Sequence, residues 1–227
     1  MQLIASFIER VLQEGRWEHE TTQASRVIMG RIRQMVDERR LEPIETSIEG
    51  MRYIMSVKRG RSLNVSGTYV FASDDRQPRI ELTVHIPRGW SIDRFKDNLS
   101  DMQHDLKTTV RHELEHAAQD RAGRMTSSYG DVDPSLRGYN YMRAIMLYFL
   151  DRSELEAVAA HLYKGAKMKK QPVGNELDEL LDLVEKSMLR RDVDNMLARA
   201  ATAKIEKALR DEMMKRFPRA VFDVTRS

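Results

Sequence analysis

An α+β fold is predicted by three features of the chain. Apolar residues recur at helical spacing near both ends, residues 51 to 86 are rich in β-branched and aromatic types, and the helical period returns directly afterwards. Helices therefore flank a small sheet rather than alternate with its strands.

The first elements are helical. Leu3, Ile4, Phe7, Ile8, Val11 and Leu12 build one apolar face, and Ala24, Ile28, Ile32, Met35 and Val36 build another before Pro43 ends the run. Two such helices are expected to pack as a hairpin. About three strands follow, at Tyr53-Ile54, Thr68 to Phe71 and Ile80 to Ile86. Turn clusters at Arg59-Gly60, Asn64 to Gly67 and Ser73 to Pro78 separate them. Connections this short predict antiparallel pairing, because parallel neighbours need a long crossover. Ile80, Leu82, Val84 and Ile86 alternate onto one face, and Pro87 ends the strand.

After Trp90, a single stripe runs through Ile92, Phe95, Leu99, Met102, Leu106, Val110 and Ala117. Ser100 with Gln103 fits a capping box, which leaves open one long helix or two broken near Ser100. Gly123 supplies the stop. A loop from Met125 to Gly138, helices over Tyr141 to Leu150 and Leu155 to Tyr163, and a basic break from Lys164 to Gly174 come next. The remainder reads as helix to about Pro218. The expected organisation is a helical segment over 1–45, a core over 46–165 and a second helical segment over 166–227.

Composition removes several function classes. With 227 residues, the chain is long enough for one compact domain with appendages or for two small ones. Charged residues make up 32% and hydrophobic residues 41%, a soluble globular balance. No apolar run approaches the ~20 residues that span a bilayer. Glu9 and Arg10 interrupt the first apolar stretch, against a secretory signal, so a cytoplasmic location is expected. Cysteine is absent, so any metal must be held by histidine and carboxylate. Lys and Arg total 38 against 35 acids, and the net charge of +3 is too even for a dedicated nucleic-acid binder. The basic run Lys164, Lys167, Lys169 and Lys170 reads as a solvated linker. The 14 methionines read as filling for helical apolar faces.

The segment His112-Glu113-Leu114-Glu115-His116 carries the chemistry. Residues four apart stand one turn above each other on a helix, so both imidazoles can reach one metal ion. Glu113 sits one step round the same turn, beside such an ion rather than on it, where it can accept a proton from an activated water. At 100° per residue both histidines fall at the side of the apolar stripe, where a residue lining a cleft belongs.

A three-ligand site needs one further donor. Glu154 and Glu156 lie about 200° apart on a helix, so one of them at most faces the ion. Ser153 and Glu156 form a capping box on paper, which gives Glu156 a structural task and makes Glu154 the better ligand. Glu156, and Asp131 in the nearer loop, remain alternatives. Tyr139, Tyr141, His104 and His161 are candidates to stabilise an oxyanion, and none has a spacing that singles it out.

His112-Glu113-Leu114-Glu115-His116 with the later Glu154-x-Glu156-Ala157 resembles the zinc metallopeptidases of the gluzincin type. More loosely, Gln119 and the acidic segment are similar to small zincin-like proteins of phage and mobile elements. The resemblance covers residues 80 to 163. It implies a zincin-like core, Zn2+ held by His112, His116 and Glu154, and Glu113 as general base. It also implies a peptide laid along an edge strand, a role that would fall to Ile80 to Ile86. The family's acid four residues after the ligand glutamate is replaced by Val158, leaving Asp120 or Asp131 to orient a ligand histidine.

The expected function is hydrolysis of peptide bonds by a metal-activated water, with a peptide or protein as substrate. The alternative is a catalytically silent, zinc-stabilised binding or structural protein, such as a virion or regulatory component. The helical ends offer surfaces for oligomerisation.

Overall fold

The computed structural model describes residues 2–38, 43–72, 77–125, 132–133 and 135–217. Among these residues the chain is α+β, with seven helices and one four-stranded sheet. Its internal contacts divide it into Met1–Ala117 and Ala118–Ser227, a division that falls inside one continuous helix, α3 (Leu99–Arg121).

In the first unit, α1 (Gln2–Asp37) packs on β1 (Ile44–Ile48) and β2 (Met51–Gly60). The expected hairpin is a single 36-residue helix. No proline interrupts it, and each of its two glycines, Gly15 and Gly30, costs only about 1 kcal/mol relative to alanine, too little to force a turn. Strand β1 was not foreseen. It joins β2 through Glu49 and Gly50, whose φ angles of 49° and 80° suit the tight turn that matches the twist of paired strands.

The sheet is mixed rather than antiparallel. Its order is β1-β2-β4-β3, with β3 at Asn64–Val70 and β4 at Arg79–Pro87. Strands β2 and β4 are parallel, and β4 pairs antiparallel with β3. No crossover helix is needed because β3 is itself the return path: it leaves β2, runs back one strand further out, and β4 fills the gap. Ile80 to Ile86 is therefore interior, hydrogen-bonded on both sides, and cannot accept a peptide along its edge. The edges are β1 and β3.

Residues read as a turn, Asn64 to Gly67, begin β3. On the buried face of the sheet, Tyr53 and Met55 stand beside Ile80 and Leu82. Gly67 pairs with Leu82 and so belongs to that same face. Helix α2 (Ile92–Asp97) and α3 are two helices separated at Asn98, two residues before Ser100. Phe95, Met102, Leu106 and Val110 carry the foreseen stripe into the core.

In the second unit, the last turn of α3 stops at Gly123, whose φ of 62° lets Arg124 N donate to Gln119 O at 2.8 Å. Helices α4 (Gly138–Leu150), α5 (Arg152–Lys169), α6 (Val173–Leu189) and α7 (Asn195–Arg216) pack around Phe149, Leu162, Leu177, Ile205 and Leu209. The basic break is shorter than expected. Lys164 is buried inside α5, and Lys169 ends that helix paired with Glu176 at 2.8 Å and Glu179 at 3.1 Å. Burial pulls the Lys169 ammonium down, but the two carboxylates outweigh it and hold its pKa above the usual lysine value.

Candidate metal centre

The site is written on one face of α3. His112, His116 and Gln119 follow one another at i, i+4 and i+7, so their side chains share a side of the helix. Leu106, Val110 and Ala117 are buried beside them, which fixes the rotation of the helix. His116 is buried and His112 half-buried. Their rings stand nearly perpendicular, with centroids 4.7 Å apart, and their Nε2 atoms are 3.1 Å from each other.

Gln119, three residues beyond His116, holds the start of α5. Its Nε2 donates to Ser153 O at 3.0 Å and to Glu156 Oε2 at 3.3 Å. The same turn is set from inside by Asp151, whose Oδ1 accepts from Ser153 N at 2.8 Å and Glu154 N at 3.3 Å. Asp151 is thus the cap of α5, and the capping box read on Ser153 and Glu156 does not form. An aspartate two residues earlier outcompetes the serine because its short carboxylate reaches both free N–H groups.

Ligand atoms of His112, His116 and Glu154 all lie within 4.8 Å of one another. Glu156 is committed elsewhere. Arg152 Nε donates to one of its oxygens at 3.2 Å and Arg124 to the other at 3.3 Å, while Arg216 donates to its backbone carbonyl at 2.9 Å. Burial raises the Glu156 carboxyl, but Arg216, Gln119, Arg152 and Arg124 together hold it below its ordinary value. The difference between the two glutamates follows from the 200° between them: one faces the histidines, the other a ring of cations.

This donor set fits a divalent cation. Two Nε2 atoms 3.1 Å apart, each at about 2.05 Å from a shared ion, subtend about 98° at it, near the tetrahedral value. Two imidazoles and one carboxylate form an N2O set that zinc accepts, one donor short of a tetrahedron.

Glu113, next to His112 and buried, lies close against β3 at Gly67. A Cβ on Gly67 would lie 2.7 Å from Thr109 Cγ2, 2.8 Å from Glu113 Cγ and 2.9 Å from Glu113 Oε1. Only a glycine lets the strand backbone come this close to the carboxylate. Sequence reading assigned Gly67 to a turn. The available signal was an isolated glycine between strand-forming residues, which also marks a close backbone approach.

The other candidates fall elsewhere. Tyr139 is mostly exposed on α4, and the Tyr141 hydroxyl is spent on Ser187 Oγ at 3.3 Å. His104 and His161 are not part of the histidine–glutamate cluster. Asp131 lies outside the described residues, and Val158 is buried in the helical core.

No protein-family model, no curated protein and no solved structure matches the chain. No helix among the described residues is long and apolar enough to cross a membrane.

Proposed function

We propose that this chain is a zinc-dependent metallopeptidase of the gluzincin type, with a zincin-like core and Glu113 as general base. The observation that carries the reading is the paired Nε2 atoms of His112 and His116, one helical turn apart, with the Glu154 carboxylate within 4.8 Å. A zinc ion held there would supply Lewis acidity, lowering the pKa of a water and polarising a substrate carbonyl.

Every other role belongs to the chain. Glu113 is one residue from a ligand, and its carboxylate is assigned to take the proton of the attacking water. It then delivers that proton to the departing amine nitrogen. Burial of Glu113 keeps bulk water from competing for it. The substrate peptide lies along β3, the sheet edge whose Gly67 touches Glu113, in place of the interior strand first considered.

Metal analysis of the purified protein, paired with a peptide-library cleavage assay, tests this. About one zinc per chain is expected, and Glu113→Gln should retain it while losing hydrolysis by about 100-fold or more. Zinc bound without cleavage of any peptide would favour the silent, zinc-stabilised binding protein. Absence of stoichiometric metal would remove both readings.

A further inference from the structure

Helix α4 is apolar on two sides. One side, with Ile145 and Phe149, enters the core. The other runs through Tyr139, Met146, Leu147 and Leu150, with Met142, itself buried in the core, at the border between the two. Tyr139 is 63% exposed, Leu147 47% and Leu150 42%, more than solvation of a helix face requires. This second stripe lines a cavity of about 620 Å³ between α4 and α7, within the range of natural ligand sites.

The polar groups of the cavity are few and biased in sign. Arg143 on α4 and Lys204 on α7 both line it, both are exposed, and neither has an ion pair among the described residues. The acid there is Asp151, whose Oδ1 is already engaged by the first turn of α5. Two uncompensated cations flanking an apolar trough select an occupant with apolar anchors and carboxylates. One carboxylate, as on a fatty acid, would answer only one of them. A peptide segment with leucine-like side chains between acidic residues answers both.

We propose that this cavity is a docking site for an acidic, apolar peptide segment, held apart from the bond to be cut. Its role as a substrate-docking site rests on the peptidase reading; its chemistry does not. Asp151 lines the cavity, and its Oδ1 also accepts from Glu154 N at 3.3 Å. A segment docked here would raise the local concentration of the neighbouring peptide at the centre.

The test is a fluorescence anisotropy titration on the full chain. One labelled, end-blocked peptide carries leucines three and four residues apart with glutamates at both ends; a second carries lysines in their place. The acidic peptide should bind at least tenfold more tightly than the basic one. Arg143→Glu with Lys204→Glu should reverse that preference, and Leu147→Ser should weaken both, with thermal unfolding showing that each variant is folded. Equal binding of the two peptides, or an unchanged preference in the charge-reversed variant, overturns the proposal. So does displacement of the acidic peptide by stoichiometric palmitate, which identifies a lipid as occupant. A dimer in sedimentation that Leu150→Asp dissociates identifies a second copy and also overturns it. Zinc content is measured on the same samples. Peptide binding without zinc removes the peptidase reading alone, and zinc without peptide binding removes the docking site alone.

Discussion

Gly67 and Glu113 define the tightest contact of the site, and each has a measurable consequence. Gly67→Ala forces the strand backbone away from Glu113 and is expected to destabilise the protein by about 1–3 kcal/mol, as overpacking generally does. Denaturant unfolding measures that cost, and cleavage should fall with it. At the ligands, Glu154→Gln should lower zinc affinity by at least tenfold. Glu156→Gln should leave it within a few-fold, because that carboxylate faces Arg124 and Arg152 instead. Competition with a zinc chelator distinguishes the two. The histidine pair was legible because helical spacing is local and rigid. Glu154 was preferred over Glu156 from the sequence, but through a capping box that does not form; the separation of the two faces is what carries the argument. Gly67 was missed because its meaning lies in a helix more than 40 residues away.

The start of α5 is the element on which the third ligand depends. Asp151 satisfies two N–H groups there, and Asp151→Ala is expected to cost about 1 kcal/mol in denaturant unfolding. The same substitution should weaken zinc binding, since a frayed first turn no longer fixes Glu154. The helical period of α3 could be read directly, whereas the remainder, read as one helical stretch, is two helices, α6 and α7. Pairing within the sheet could not be read. The parallel contact of β2 with β4 depends on β3 stepping outward, and no local pattern records that choice. Strand β1 is short and its turn begins with a glutamate at positive φ, so its turn signal is weak.

For the whole molecule, pH and metal are the two levers. The Glu156 carboxyl lies below its ordinary value of 4.5, so it contributes stability above that pH, and this contribution disappears as pH falls through the lowered value. Thermal unfolding between pH 7 and pH 3 should therefore show a smaller loss of midpoint temperature in Glu156→Gln than in the parent. Chelation should lower the midpoint of the parent as well, because zinc bound only to the folded chain at a hundredfold excess over Kd is worth about 3 kcal/mol. The α+β class followed from periodicity, whereas these two responses depend on groups brought together only by folding.

Anomalous diffraction at the zinc edge, from crystals grown with stoichiometric zinc, tests the coordination directly. A single peak is expected at about 2.0–2.1 Å from Nε2 of His112 and of His116, and at about 2.0–2.2 Å from one oxygen of Glu154. A peak elsewhere, or imidazoles turned apart with no peak between them, would contradict the account.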